Sequence, residues 1–329
     1  MVAAVSTPPV AVLGAGSIGV SFAILFACNG FDVSVYDPFD DALPRAGADL
    51  RERLRQFTGT DDAAARVRFT SDLDVAVTGS GFVQECAPER VELKRELLQQ
   101  AATRTGADVP LASSSSAIVA SRIADGLDDA VAERILVGHP GNPPYLLPVV
   151  EVVPSPVTSE AITERTTEVY RAAGLRPVLV RREVEGFLFN RLQGALLREA
   201  YCLVRDGVAS VDDVDEVVRS GLGRRWAVIG PFETSDLNTR GGIESHAVKM
   251  GPAYERMGAE RGQHDPWAPE LVAEVTAQRR ALLDLDDWDE RVRWRDAQLI
   301  RMRDALGADH RGDQTRVRPP SRASTEPVA

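Results

Sequence analysis

The feature that most constrains the fold is a glycine-rich turn at residues 14–19, with the sequence Gly-Ala-Gly-Ser-Ile-Gly. It follows an apolar run at residues 10–13 and precedes residues 17–29, whose apolar spacing predicts a helix. Residues 31–36 are then predicted to form a second strand that ends at Asp37. A strand, a helix and a strand joined in this way predict a parallel sheet of the Rossmann type.

The same turn indicates what kind of ligand binds there. Gly14 permits the tight bend, Gly16 lets a pyrophosphate approach the backbone, and Gly19 lets the helix pack closely on the strand. The amides of Ser17 and Ile18, at the start of the helix, are expected to face the phosphates, since a helix N-terminus attracts negative charge. The pattern therefore predicts a dinucleotide site.

Asp37 points to one particular dinucleotide. Its carboxylate would accept hydrogen bonds from the adenosine ribose and would repel the additional phosphate of NADP, so the predicted cofactor is NAD. Three alternatives remain open from the residues. The turn could serve packing alone or bind FAD, and Asp37 could be an ordinary turn residue.

The chain divides into two parts by the pattern of its apolar residues. Strand and helix patterns alternate up to residue 184, and the spacing is helical from residue 185 onward. We predict an α/β Rossmann domain with a mostly parallel, doubly wound sheet at residues 1–184, and an all-α domain at residues 185–306. Residues 307–329 have almost no large apolar side chains, so they are predicted to form a flexible tail.

Composition excludes several function classes. The net charge is −11 and the basic residues are interspersed with acidic ones, so nucleic-acid binding is not expected. The three cysteines are far apart and lack C-x-x-C spacing, which argues against a disulfide framework and a thiolate zinc site. No apolar run reaches the roughly 18 residues of a membrane span. We expect a cytoplasmic protein without a metal.

One histidine stands out as a candidate base. The sequence has four histidines, and His139 is the one that follows an apolar strand on the cofactor side of the sheet. Twelve residues later, Glu151 lies within an apolar run, where an unpaired buried carboxylate would be costly. The proline-rich segment 140–145 is typical of a turn, so the two strands can double back and bring the side chains together.

A His139–Glu151 pair would have a specific chemical use. The carboxylate would fix the imidazole tautomer, and His139 would take the hydroxyl proton of a substrate while a hydride leaves the same carbon for the nicotinamide. The alternative is that His139 caps a strand while Glu151 faces solvent. Ser116 and Asn190 could donate hydrogen bonds to the reacting oxygen, or be a polar strand end and an ordinary helix residue.

Several segments, in order and spacing, resemble the 3-hydroxyacyl-CoA dehydrogenase family. Within that family the chain looks most like the branch of lambda-crystallin and L-gulonate 3-dehydrogenase. The resemblance covers about residues 10 to 306, and it is carried by residues 14–16, 111–116, 139–145, 151, 186–192 and 221–233.

The resemblance implies roles for individual residues. It implies that His139 and Glu151 are catalytic, with Ser116, Asn142 and Asn190 beside the substrate or the nicotinamide. It also implies contacts with NAD from Ser17, Ile18, Asp37, Glu89 and Lys94. From the residues themselves, Glu89 and Lys94 are better interpreted as a charged pair on a solvated helix.

Gly141 departs from the branch pattern, which has an apolar side chain there. A glycine would remove a wall beside the reactive carbon and add backbone freedom, so a bulkier hydroxy acid is expected to fit. The exact substrate is therefore open.

The helical part offers candidates for recognising the substrate. Arg225 could clamp a small carboxylate with two hydrogen bonds, which favours a free 3-hydroxy acid such as L-gulonate over an acyl-CoA. A surface salt bridge is the alternative for Arg225. Trp226 could hold the quaternary ammonium of L-carnitine or belong to the core, and Tyr145 is predicted to be a wall or lid.

Two function classes follow from these observations. One is an NAD-dependent enzyme, and the other is a structural protein that keeps the cofactor fold without chemistry, as some lens crystallins do. The presence of both His139 and Glu151 favours the enzyme. The resemblance further implies a homodimer formed through the helical part.

Overall fold

A computed structural model of the chain describes residues 7–227 and 242–262, together with single positions between and after these ranges. The predicted tail at residues 307–329 lies outside the described residues. Among the described helices, none is long and apolar enough to cross a membrane.

The first half is built on an eight-stranded sheet with the strand order β3-β2-β1-β4-β5-β6-β7-β8. Neighbouring strands are parallel, except that β6 and β7 are antiparallel. The strands are β1 Val10–Leu13, β2 Val33–Tyr36, β3 Val67–Thr70, β4 Phe82–Glu85, β5 Leu111–Ser113, β6 Ile135–Pro140, β7 Val149–Pro154 and β8 Arg176–Leu179.

Helices cover both faces of this sheet and continue into the second half. They are α1 Ser17–Cys28, α2 Ala42–Thr58, α3 Leu73–Val77, α4 Val91–Ala102, α5 Ala120–Ala124, α6 Asp129–Ala132, α7 Glu160–Ala172, α8 Phe189–Arg205, α9 Val211–Glu216, α10 Gly223–Trp226 and α11 Gly242–Arg261. A short 3-10 helix spans Asp62–Arg66, and a π-helical turn, Val217–Leu222, joins α9 to α10.

The core lies in two layers, one on each face of the sheet. Val10 and Val12 of β1 pack with α1, α2 and α7, whereas Ala11 and Leu13 of the same strand pack with α3, α4 and α5. Successive side chains of a strand point to opposite faces, so a strand buried on both sides is apolar throughout. The predicted α/β class with a mostly parallel, doubly wound sheet is confirmed.

Helix α4 begins at Val91, because Arg90 is extended and ends the preceding loop, which carries Glu89. The last strand, Arg176–Leu179, pairs in parallel with β7.

The described elements after residue 184 are helical, as predicted. Helix α8 buries Cys202 and Val204 but exposes a row of leucines. These are Leu192, Leu196 and Leu197, with Leu188 just before the helix. A homodimer through this part would cover such a face, and it stays a prediction.

Candidate active site

The glycine turn between β1 and α1 has two glycines in close contact with neighbouring backbone and a third glycine beside open space. Gly14 has φ +116°, and a Cβ there would lie 2.8 Å from the carbonyl oxygen of Cys86. A Cβ on Gly19 would overlap the carbonyl oxygen of Gly14. A Cβ on Gly16, in contrast, would meet no atom within 4 Å. Two glycines thus let the backbone pack, and Gly16 leaves room for a ligand.

The groups around this open side suit a dinucleotide. The amides of the first turn of a helix lack partners within the helix, and in the described residues no side chain caps α1. Asp37, after β2, accepts hydrogen bonds from the amides of Ala15, at 3.0 Å, and Phe39, at 3.1 Å. Amides for a pyrophosphate and a carboxylate for a ribose therefore lie side by side, and the residues fit NAD.

Two residues near the turn were missed by the sequence reasoning. Arg53 of α2 places its guanidinium 3.3 Å from the hydroxyl of Ser17 and 3.2 Å from that of Ser21. Phe39, 67% exposed, follows Asp37 by two residues. Phe39 also donates its amide to Asp37, and its place two residues after Asp37 could have been read from the sequence. Arg53 gave no such signal, because its place depends on how α2 packs on α1.

His139 and Glu151 lie opposite each other on the antiparallel strands β6 and β7. Nδ1 of His139 is 2.7 Å from Oε2 of Glu151, and the two residues are 5% and 3% exposed. The other oxygen, Oε1, accepts hydrogen bonds from the amides of Leu188, at 2.6 Å, and Phe189, at 2.9 Å. The strands do double back as predicted, and the alternative of a solvent-facing Glu151 is wrong.

These contacts determine which nitrogen of His139 is available. Because a carboxylate can only accept hydrogen bonds, Nδ1 of the imidazole is assigned as the donor to Glu151. Nε2 is then left with a lone pair, and it lies 3.1 Å from the hydroxyl oxygen of Ser116. Asn190 donates a hydrogen bond of 3.2 Å to the carbonyl oxygen of Ser116. The predicted set of His139, Glu151, Ser116 and Asn190 is thus brought together.

A cleft of about 340 Å³ opens in front of His139. It is shared between the glycine turn, the strand ends and helix α8, so the predicted cofactor and proton-transfer residues face one space. Its lining residues are Ile18, Ser114, Ser116, His139, Pro140, Asn142, Leu147, Phe189, Asn190 and Gln193. Gln193 was not predicted, although it follows Asn190 by three residues and so shares its helix face.

A buried ion pair lies beside this cleft. Nζ of Lys94 is 3.1 Å from Oε1 of Glu85, 3.0 Å from the carbonyl oxygen of Ala87 and 3.3 Å from Oε2 of Glu89. Lys94 is 1% exposed, so the interpretation as a pair on a solvated helix is wrong. Burial raises the pKa of the Glu85 carboxyl, against the opposing effects of Lys94 and Ser113. Contact of Lys94 with the cofactor stays a prediction.

Glu89 uses its carboxylate to hold the loop that carries Ser116. Oε1 accepts hydrogen bonds from the hydroxyl of Ser115 and from the amides of Ser116, at 3.1 Å, and Ala117, at 3.0 Å. Partial burial raises the pKa of the Glu89 carboxyl, but the hydrogen bond from Ser115 and the charge of Lys94 outweigh it, and the pKa lies below its usual value. The residue is therefore a carboxylate at neutral pH.

The residues predicted for substrate recognition lie elsewhere. The ring of Tyr145 packs against Phe57, with centroids 5.2 Å apart, and does not belong to the described lining of the cleft. Arg225 and Trp226 lie on α10, outside that lining as well. Both are exposed, Trp226 by 39%, so the alternative that Trp226 is a core residue is wrong.

Gly141 also differs from its prediction. It is buried, and a Cβ there would lie 2.9 Å from Cβ of Leu147 and 3.0 Å from Cγ1 of Val149. The space that a side chain would take is already filled by these two residues. The glycine therefore allows the loop to close on itself and does not widen the cleft.

Two family models match consecutive segments of this chain. Residues 9–184 match the NAD binding domain of 3-hydroxyacyl-CoA dehydrogenase, and residues 186–282 match its C-terminal domain. A lambda-crystallin homolog of Bos taurus is 39% identical over 308 residues, which cover 89% of this chain and 94% of that protein. An L-carnitine dehydrogenase of Pseudomonas syringae pv. syringae is 37% identical over 275 residues, covering 80% and 82%.

Solved structures are similar over most of their length. An NAD⁺-dependent dismutase, 5-formyl-3-hydroxy-2-methylpyridine 4-carboxylic acid 5-dehydrogenase, gives a TM-score of 0.76 at 28% identity and covers 92% of this chain and 99% of its own. A 3-hydroxyacyl-CoA dehydrogenase of Archaeoglobus fulgidus gives a TM-score of 0.66 at 26% identity, covering 90% and 98%.

The fold and the matching domains define an NAD-dependent oxidoreductase that acts on CH–OH groups. The chain belongs to the 3-hydroxyacyl-CoA dehydrogenase family, and within it to the branch that contains the lambda-crystallins.

Proposed function

We propose that this protein oxidises the 3-hydroxyl group of a small free hydroxy acid, of the L-gulonate type, with His139 as the base. The observation that carries the proposal is the orientation of His139. Its Nδ1 is held at 2.7 Å by the buried Glu151, and its Nε2 faces the cleft beside Ser116. A base presented in this way can take a proton only from a group inside the cleft.

The proton transfer follows from these contacts. A substrate hydroxyl placed at Nε2 of His139 loses its proton to that nitrogen, and the imidazolium that forms is stabilised by Glu151. The hydroxyl of Ser116 and the amide of Asn190 can donate hydrogen bonds to the oxygen as it becomes a carbonyl. When bound, NAD supplies the hydride acceptor for the substrate carbon.

The lining of the cleft favours a small polar substrate. Beside His139, its described polar side chains are the neutral amides of Asn142, Asn190 and Gln193 and the hydroxyls of Ser114 and Ser116. Such groups can pair with several hydroxyls of a polyhydroxy acid. Arg225 does not line the cleft, so the proposal does not rest on a clamp by that residue.

L-Carnitine is the second candidate. One relative is an L-carnitine dehydrogenase at 37% identity, and another, at 34% identity, is an L-carnitine dehydrogenase/betainyl-CoA thioesterase. The exposed indole of Trp226 could hold a quaternary ammonium, provided that α10 or a partner brings it to the cleft. An acyl-CoA substrate and a crystallin-like role without turnover are the remaining alternatives.

A substrate panel tests the proposal. The specificity constant kcat/KM is measured with NAD for L-gulonate, L-carnitine and 3-hydroxybutyryl-CoA, by following NADH formation. We expect turnover of L-gulonate, and a loss of about 10³-fold in the His139→Asn variant, the range of general base catalysis. NADH binding by that variant should be unchanged.

The other outcomes are equally informative. Turnover of the CoA ester but not of the free acids would refute the free-acid proposal. NADH binding without turnover of any substrate would favour the structural role. Full activity of His139→Asn would exclude His139 as the base.

A further inference from the structure

The backbone turn at residues 115–118, here called the serine turn, carries the hydroxyl that meets the base. Ser116 lies within it, with its Oγ 3.1 Å from Nε2 of His139. The turn follows strand β5, and it is exposed at Ser116 and Ala117. A loop exposed in this way needs a specific contact to keep Ser116 in place.

One carboxylate oxygen supplies that contact. Oε1 of Glu89 accepts hydrogen bonds from the amides of Ser116, Ala117 and Ile118 at 3.1, 3.0 and 3.4 Å, and from the hydroxyl of Ser115. Consecutive backbone amides that converge on one point form a concave site for an anion. In this protein, the anion is the side chain of Glu89.

We propose that Glu89 is a positioning residue that acts through Ser116, by holding the serine turn so that the Ser116 hydroxyl stays on Nε2 of His139. This inference rests on the proposed function, in which His139 is the base. This role adds to the contact with NAD that the family resemblance implies for Glu89.

The charge of Glu89 is what the serine turn requires. Hydrogen bonds to a carboxylate are shorter and about twice as strong as those to a neutral acceptor. The charge is balanced from behind, because Nζ of Lys94 lies 3.3 Å from Oε2 of Glu89 and is itself anchored on Glu85. Glu85 in turn accepts a hydrogen bond from Ser113, the last residue of β5. A continuous set of contacts thus connects the buried end of β5 to the exposed serine turn.

Replacement of the carboxylate by an amide isolates this role. In Glu89→Gln we expect kcat for the hydroxy acid to fall about tenfold, because small displacements of a reacting group cost one to two orders of magnitude. The KM of the hydroxy acid should change less than about twofold, since Ser116 and not Glu89 touches the reacting atoms. The Kd of NADH is measured separately, so that any lost contact with the cofactor is told apart from the loss of kcat. A residue that only stabilised the fold would not separate kcat from binding.

Coupling to Ser116 is the decisive measurement. If Glu89 acts through Ser116, Glu89→Gln should cost nothing further in the Ser116→Ala background, so the two substitutions are non-additive. Glu92→Gln is the matched control, because Glu92 is an exposed carboxylate on the first turn of α4, and its kcat should equal that of the unmodified protein. Thermal unfolding of each variant shows whether it is folded.

A second variant keeps the charge and loosens the turn. The hydroxyl of Ser115 donates a hydrogen bond to Glu89 and accepts one of 2.7 Å from the amide of Ile118. Ser115→Ala should therefore lower kcat in the same direction by a smaller factor, about threefold, because the backbone amides of the turn still bind the Glu89 carboxylate.

Additive effects of Glu89→Gln and Ser116→Ala would overturn the inference. So would a raised Kd of NADH with an unchanged kcat, which would make Glu89 a cofactor contact. These failures are distinct from a failure of the proposed function, which would appear as full activity of His139→Asn.

Discussion

Two buried carboxylates lie near the cleft, and each is paired with a basic side chain. The two pairs differ in their access to the cleft. The side chains of Glu85 and Lys94 are 0% and 1% exposed, and the Lys94 amine is surrounded by oxygens of the protein. The side chains of Glu151 and His139 are 4% and 6% exposed, almost as deeply buried. The difference lies in the second nitrogen of the imidazole, which reaches the cleft.

This comparison teaches that burial and pairing of charges do not by themselves identify the reacting group. Perturbed ionisable groups occur at catalytic sites and in structural ion pairs alike. What separates the two pairs is an atom with a remaining lone pair in contact with an open space. In Lys94 the ammonium has only donors, and they point at Glu85, Glu89 and Ala87.

The largest effect is expected from Glu151→Gln. The amide would donate to Nδ1 of His139 and force the proton onto Nε2, which is the wrong tautomer for a base. We expect kcat to fall by about 10³-fold or more, as when the orienting carboxylate of a catalytic histidine is replaced. Steady-state kinetics measure the loss, with NADH binding as the control. A loss of kcat below tenfold would mean that His139 does not depend on Glu151 for its tautomer, and that the two buried pairs do not differ in function.

Lys94→Met should act mainly on stability, with a loss of kcat no larger than that of Glu89→Gln, because Lys94 also balances the charge of Glu89. Removal of one partner of a buried pair leaves an uncompensated charge on Glu85 and costs about 3–5 kcal/mol of the free energy of unfolding. Urea unfolding measures this, and the double variant with Glu85→Gln should recover most of the loss. An unchanged free energy of unfolding in Lys94→Met would show that water or a movement of neighbouring groups compensates the charge of Glu85.

The smallest effect is expected at Cys86, next to Glu85. Burial of the thiol raises its pKa to about 12, so almost no thiolate is present at neutral pH. Iodoacetamide should leave Cys86 unmodified in the folded protein, as detected by mass spectrometry, while all three cysteines react after unfolding. Rapid labelling of Cys86 in the folded protein would contradict the raised pKa of this thiol.

Features that depend on local chemistry could be predicted from the sequence. The glycine turn predicts its own conformation, since Gly14 needs a positive φ and Gly19 allows no side chain. The pairing of His139 with Glu151 was also predictable, because a turn-forming segment between two apolar strands sets a register in which they meet.

Features that depend on packing between distant segments could not be predicted. Arg53 reaches Ser17 because α2 lies against α1, and the partners of Glu89 come from a loop 26 to 29 residues further along the chain. The expectations for Tyr145 and Gly141 failed for the same reason. The ring of Tyr145 packs against Phe57, and Leu147 fills the space beside Gly141.

The amides of Leu188 and Phe189 donate hydrogen bonds to Glu151, so the site depends on both halves of the chain. The base is assembled within the sheet, but its orienting carboxylate is satisfied by the first residues of the helical half. A protein cut at this junction would leave Oε1 of Glu151 without two of its donors. The two halves are therefore not exchangeable parts, and any recombination of them has to preserve the backbone of this one junction.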